Sequence, residues 1–352
     1  MKIEKLLNWY HENKRDLPWR RTKNPYFIWI SEIICQQTSV ANAIPYYNRF
    51  VEKFPDVFSL AEASERDVLV LWQGLGYYSR ARNLHQSAQI IVNQFQGEFP
   101  TQYQEILQLK GVGEYTAGAV ASIAFDEKQP AVDGNVIRVL SRIFGMFESA
   151  VTASGKKAFK NKVMDLMKNT KPGDFNQALM EFGALQCTPQ NPLCENCIFN
   201  LECYAFQNRA VADLPLKKKK ISVKNRYFNY FVIEHTGGIL LKKREENNIW
   251  KNLYEFPLFE TDELIDISAL QTLLQSKILK KIPFILSERL YYKKHKLSHQ
   301  TIHADFYGII IITDITKHAE KYGFLSISIP QFVQYPVSEL IKTAFQTIFY
   351  EK

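Results

Sequence analysis

Along residues 1–213 the apolar positions recur every three or four residues, the spacing that gathers them on one face of an α-helix. In NVIRVLSRIFGMF, Val136, Leu140, Ile143 and Phe147 share such a face, and YQEILQLK and DVLVLWQGL repeat the pattern. YFIWISEIICQQT is rich in β-branched residues, but neither Gly nor Pro interrupts the chain from Tyr26 through Ile44. That run is too long for one strand and predicts a helix. From about 208 to 226, NRAVADLPLKKKKISVKNR has no apolar period, one proline and four consecutive lysines, which marks a linker. Beyond it YFNYFVIEH, then ILLKKR after the Gly237-Gly238 turn, and ADFYGIIIIT read as strands, while QTLLQSKILKK and VSELIKTAFQTIFYEK return to helical spacing. The expected organisation is multidomain: an all-α domain over 1–213, a basic linker over 214–225 and an α/β or α+β domain over 226–352.

Length and composition agree with two packed domains: 352 residues, 46% hydrophobic and 23% charged. No run approaches the roughly 18–20 apolar residues that span a bilayer. MKIEKLLNWYHENKR also lacks the apolar stretch and cleavage site of a signal peptide, so the expected location is cytoplasmic. The net charge of +8 favours a polyanionic partner, but its distribution is uneven. Residues 1–213 hold 23 basic against 22 acidic side chains, 214–225 hold 5 against none, and the remainder 16 against 14. The excess therefore lies mainly in the linker, where Lys217 to Lys220 offer nonspecific affinity for phosphates or simply a solvated segment.

Four of the five cysteines, Cys187, Cys194, Cys197 and Cys203, fall within seventeen residues as C-x6-C-x2-C-x5-C. They stand among Pro189, Pro192 and polar loop residues that give a packing cysteine little to pack against, so metal ligation is the expected role. Ligand count alone leaves zinc and iron-sulfur both open, although one compact loop is unlike the paired knuckles of four-cysteine zinc sites. Cys35, alone in an apolar segment, reads as a small core residue.

In LQLKGVGEYTAGAVASIAF two glycines, Gly111 and Gly113, flank Val112 between helical stretches. Such a turn leaves backbone N–H groups at the next helix start, where they can hold an anion or merely join two helices. Asp133 begins the periodic helix that follows; helix N-termini favour the ionised carboxylate, which also serves as an ordinary N-cap.

Taken with the cysteine loop, LKGVGEYTAG and VDGNV resemble the helix-hairpin-helix DNA glycosylases of the endonuclease III superfamily. RDLPWR, SEIICQQT and WQGLGYYSRARNL narrow the resemblance to the MutY family of adenine DNA glycosylases. The likeness covers essentially the whole chain, with a C-terminal domain similar to the Nudix (MutT-like) fold. It implies one 4Fe-4S cluster on the four cysteines and, as partner, duplex DNA bearing adenine opposite 8-oxoguanine or guanine. It also implies a monomer that belongs to base excision repair. Bifunctional relatives carry a lysine two positions after the second hairpin glycine; Tyr115 stands there and cannot form a Schiff base, which implies base release without strand cleavage.

The same resemblance assigns Glu32 as the acid for the departing base and Asp133 as the carboxylate facing an oxocarbenium-like sugar, a pairing analogous to that of glycoside hydrolases. Apolar neighbours in IWISEIIC should hold a proton on Glu32, which otherwise reads as a solvent-facing helix residue. Asn135 is expected to orient Asp133, with Tyr115 near the sugar. The extruded adenine would meet Arg15, Leu17, Trp19, Arg20 and Gln177. Gln37, Leu75 and Tyr77 are the implied wedges, and Thr38 a contact to the lesion. In the second domain Leu297-Ser298-His299 stand where the family has Phe-Ser-His, so the hydrogen-bonding groups are kept and an aromatic contact is lost. KNLYEFPLFETDELIDIS lacks the R-E-x-x-E-E run a Nudix pyrophosphatase needs, so the expected role there is lesion recognition. TPQNPL after Cys187 carries no basic residue, leaving backbone groups for any phosphate contact. Two other readings stay open: a glycosylase for thymine opposite guanine, and a noncatalytic DNA-binding protein with a structural cluster.

Overall fold

Small polar side chains fix where most helices begin. Asn24, Ser39, Asp56, Ser64, Asp133 and Thr152 each sit in extended backbone and accept a hydrogen bond from an N–H two or three residues on. A computed structural model describes residues 1–216, 223–245, 248–280 and 282–351. Lys217 to Lys220, the basic core of the expected linker, lie outside the described residues.

The helices run α1 (Ile3–Asn13), α2 (Pro25–Cys35), α3 (Val40–Lys53), α4 (Val57–Glu62), α5 (Glu65–Leu71), α6 (Ser79–Phe95), α7 (Tyr103–Ile106), α8 (Glu114–Phe125), α9 (Gly134–Phe144), α10 (Ala153–Met167), α11 (Pro172–Leu185) and α12 (Tyr204–Gln207). Then follow β1 (Lys224–His235), β2 (Gly238–Lys243), β3 (Tyr254–Glu255), β4 (Leu258–Thr261), α13 (Ile267–Leu274), β5 (Ile285–Lys296), β6 (Gln300–Ile310), α14 (Thr316–Lys321), β7 (Leu325–Ile327) and α15 (Glu339–Tyr350). The helical half followed by a sheet-containing half matches the expected fold class.

The chain divides into two compact units, one of Met1–Ala63 with Arg82–Lys219 and one of Ser64–Ala81 with Lys220–Lys352. The short segment around α5 therefore packs with the second unit although it lies within the helical stretch of sequence. In the first unit, Leu6, Trp9, Val139, Leu140, Phe159, Phe175, Leu179, Phe182 and Phe199 form a core that joins α1, α9, α10 and α11 to the cysteine loop. In the second, a seven-stranded mixed sheet has the order β3-β2-β1-β6-β5, with β4 on β1 and β7 on β2. β1 and β6 pair in parallel with Tyr227 opposite His303, and β5 returns antiparallel to β6. One apolar cluster of the sheet includes Phe228, Tyr230 and Phe306 with Leu340, Ile341 and Phe345 of α15; another joins Phe231, Ile233 and Ile309 to Leu270 and Leu274 of α13.

Three local expectations change. The uninterrupted run from Tyr26 to Ile44 is two helices, because Gln37 takes a left-handed φ of 58° between α2 and α3. Phe147 leaves the helical face: Gly145, at φ 64°, ends α9, and Phe147 is 49% exposed. β5 is an added strand whose charges and exposed pattern hide its period.

Candidate active site

Glu32 lies in the last turns of α2, within a helix whose other inner positions, Ile28, Trp29, Ile30, Ile33 and Ile34, are buried. Its side chain lines a cavity of ≈ 50 Å³ together with Trp19, Arg20, Ile28, Ser31, Ile123, Gln177 and Met180. Burial pushes the Glu32 carboxyl up to about 7; the Asp133 charge adds to that, while the Tyr115 hydroxyl and the Arg20 charge pull it down. Tyr115, in the first turn of α8, hydrogen-bonds Glu32 and reaches Met180 Sδ at 3.4 Å. Burial and the two nearby carboxylates hold its phenol well above the usual range.

Asp133 caps α9. Its Oδ1 accepts from the Val136 N–H at 2.8 Å and its Oδ2 from Asn135 Nδ2 at 2.7 Å. Asn135 Oδ1 in turn accepts from Arg138 Nη2 at 2.7 Å, so the side-chain amide that orients the aspartate is itself held. Helix position alone predicts a lowered Asp133 pKa. The net shift is upward, because burial outweighs the hydrogen bonds and the Arg138 charge.

Among the adenine-pocket candidates, Trp19, Arg20 and Gln177 line the cavity and Arg15 and Leu17 do not. Leu17 is buried. Arg15 and Arg20 both grip Glu181, Arg15 Nη2 at 2.6 Å and Arg20 Nη2 at 2.8 Å. Glu181 is 1% exposed, and the two guanidiniums hold its carboxyl down to about 2. Sequence reading misses Glu181, although it stands one helical turn after Gln177 in NQALMEF, on the same face.

Gln37 is exposed at the α2–α3 break, and half-buried Thr38 donates to the Gln36 carbonyl at 3.4 Å. The 72–80 turn separates the proposed wedges. Leu75 is only 9% exposed and packs as core, with Gly74 and Gly76 at left-handed φ on either side of it. Tyr77 stays 50% exposed at φ 49°, its hydroxyl 2.6 Å from Ser298 Oγ within the second unit. Ser298 and His299 are exposed on the turn between β5 and β6, while half-buried Leu297 packs on the core of that unit.

In the hairpin Gly111 has φ 74°, and a Cβ there would stand 2.8 Å from Asn83 Cβ. Gly113 differs from the sequence expectation: its φ is −96° and an added Cβ would meet nothing described within 4 Å, so the fold itself does not require glycine.

Cys187, Cys194, Cys197 and Cys203 all line one cavity with Arg142, Phe182 and Phe206, and none is in a disulfide. The Phe199 N–H points to Cys197 Sγ at 3.4 Å, and Arg142 Nη1 to Cys187 Sγ at 3.5 Å. Burial raises the thiols of Cys194, Cys197 and Cys203, so thiolates there need a cationic centre. Four soft donors around one cavity, with N–H groups aimed at sulfur, fit an iron-sulfur group. Among the described residues no three ligating side chains converge closely enough for a single metal ion. Cys35 ends α2, half-buried.

Residues 30–168 match the HhH-GPD superfamily of base excision DNA repair proteins, and residues 229–347 match the NUDIX domain. The chain is 40% identical over 305 residues to the adenine DNA glycosylase of Buchnera aphidicola subsp. Schizaphis graminum, spanning 85% of this chain and 84% of the relative. It is 36% identical over 349 residues to that of Buchnera aphidicola subsp. Acyrthosiphon pisum, spanning 98% and 97%. A solved thermostable thymine-DNA glycosylase superposes with a TM-score of 0.54 at 30% identity, covering 58% of this chain and 95% of that one.

Proposed function

The chain belongs to the adenine DNA glycosylase family, and on that premise we propose that it excises adenine mispaired with 8-oxoguanine, or with guanine, from duplex DNA. As a DNA N-glycosylase of base excision repair it breaks one bond, C1′–N9 of the deoxyadenosine. The adenine leaves as a neutral base if a proton reaches its ring, and the sugar passes through an oxocarbenium-like state.

One observation carries the assignment of roles: Glu32 faces a small cavity lined by Trp19, Arg20 and Gln177, and its pKa rises to about 7. A carboxyl protonated near neutral pH gives its proton to a ring nitrogen of the extruded adenine. Gln177 offers an amide to the adenine edge. Arg20 is held in place by Glu181, and Arg15 closes the same ion pair from outside the cavity. Asp133, oriented by Asn135, faces the cationic sugar and assists the water that adds at C1′. Tyr115 stands where bifunctional relatives have lysine, so the strand is left intact. Gln37 and Tyr77 are assigned to the DNA stack, and Thr38, Ser298 and His299 to the 8-oxoguanine.

Cys187, Cys194, Cys197 and Cys203 would hold a 4Fe-4S cluster, which when bound supplies a covalent staple for the 187–203 loop. Arg142 already ties that loop to α9, donating to the Thr188 carbonyl at 2.7 Å and the Pro189 carbonyl at 3.3 Å.

Labelled duplexes containing A:8-oxoguanine, A:G and T:G test the proposal. Release of adenine, fastest opposite 8-oxoguanine and without strand cleavage, is expected. Excision of thymine alone would overturn it.

A further inference from the structure

Met180 lines the Glu32 cavity from α11, between Gln177 and Glu181 in the chain, and is half-buried there. A methionine in such a place ordinarily fills a gap between packed side chains. Its sulfur also has a polar partner, since the Tyr115 hydroxyl donates to Sδ at 3.4 Å. A thioether is a weak acceptor with no proton to give, so the direction of that bond is fixed.

The same hydroxyl lies beside Glu32. Burial raises the Glu32 carboxyl, and the hydrogen bond from Tyr115 pulls it back down. Tyr115 therefore has one proton and two acceptors. Toward an ionised Glu32 the bond is charge-assisted and strong, whereas toward Sδ it is weak and leaves the phenol oxygen free to accept from a protonated carboxyl. The two protonation states of Glu32 thus pair with two directions of a single O–H. The other charged groups around the pair act in either direction: Asp133 at the head of α9 raises Glu32, Arg20 in the Pro18–Arg20 turn lowers it, and Cys35 at the end of α2 acts on Tyr115. Glu181 reaches Glu32 only through Arg20, which it holds at 2.8 Å.

We propose that Met180 is a positioning residue of this site: its sulfur holds the Tyr115 hydroxyl off Glu32 while the acid keeps its proton, and yields that hydroxyl to the carboxylate once the proton has passed to adenine. The inference rests on Glu32 being the acid for adenine release. Glu32 gives its proton to a ring nitrogen of the base, and Tyr115 keeps its own and only turns. A weak acceptor suits this task. An amide oxygen would compete with the carboxylate for the hydroxyl, and an aliphatic side chain would never hold it.

The test uses the full-length, cluster-loaded protein grown on methionine isotope-labelled at the methyl carbon. The Met180 methyl resonance is followed by NMR from roughly pH 5 to 9, beside the pH profile of single-turnover adenine release. In the free wild-type protein the methyl should shift with a midpoint near 7, and it should stay flat in Glu32→Gln and in Tyr115→Phe. Met180→Leu should lower the alkaline midpoint of adenine release by roughly 0.3–0.7 pH unit, the size of one weak hydrogen bond, whatever repacking does to the plateau rate. Combined with Tyr115→Phe, the same substitution should leave the midpoint of that variant where it is. If Met180→Leu does not fold, the resonance is assigned by replacing Met1, Met146, Met164 and Met167 in turn, and the methyl titration decides alone. A flat wild-type methyl, a methyl that still titrates in Tyr115→Phe, or a midpoint unmoved by Met180→Leu overturns the proposal. A methyl that titrates with Glu32 in a protein releasing no adenine would keep the turning hydroxyl and reject the adenine-excision chemistry.

Discussion

Glu32 owes its proton to an apolar helix face, and that origin fixes how the protein should respond to pH. Its folded pKa, raised from 4.5 to about 7, means the folded state binds the proton more tightly than the unfolded chain does. Stability is therefore highest below about pH 4.5 for this group and is lost as pH rises through 7, by up to about 3 kcal/mol if the whole shift is realised. Glu32→Gln should raise the melting temperature at pH 8 more than at pH 5 while lowering single-turnover adenine release by roughly 10²–10⁴. The wild-type rate should fall on the alkaline side with a midpoint near 7, and an alkaline limb unmoved by Glu32→Asp would point to another acid. Glu181 has the opposite sign. Its pKa, lowered to about 2, contributes stability above the unfolded value that fades as pH falls toward 2. Glu181→Gln leaves Arg15 and Arg20 without their shared partner, and about 3 kcal/mol should be lost in chemical denaturation at pH 7, with adenine release falling as Arg20 loosens.

At the level of elements, the hairpin separates fold from function within two residues. Gly111→Ala should destabilise by about 1–2 kcal/mol, since it combines a left-handed φ with the close Asn83 Cβ. Gly113→Ala should leave the melting temperature within about 2 °C yet weaken duplex binding, because the space a methyl would fill is free until DNA arrives. Equal loss of stability in both variants would contradict this division. The same elements show what a sequence discloses. The start of α9 is legible because a small acidic cap precedes buried residues at helical spacing, Val136, Leu140 and Ile143. β1 and β6 are legible because burial gives them long apolar runs. β5 is not, since its residues are largely exposed and Lys293, Lys294 and Lys296 break any alternation. The family resemblance names Glu32 and Gln177 separately and the fold puts both on one cavity, whereas Glu181 is hidden: a lone carboxylate in an amphipathic helix reads as solvated, and its arginines lie more than 160 residues away.

Across the molecule, the division into units cuts through the sequence. Residues 64–81 meet their partners far along the chain: Tyr78 donates to the Val337 carbonyl at 3.0 Å, Gln73 to the Tyr335 carbonyl at 2.9 Å, and Arg66 lies over the Tyr335 ring. A chain ended at residue 216 should lose these contacts and show new protease cuts within 64–81, mapped by mass spectrometry; an unchanged cleavage pattern would show that this segment holds its shape alone. The arrangement also orders events on the ribosome. The 64–81 segment emerges before the residues it packs against are made, and Val337 follows it by more than 250 residues. At roughly 5–20 residues per second, this segment waits on the order of 10–50 s for its partners, so the second unit is a late, high-contact-order step that chaperone supply and translation speed should govern.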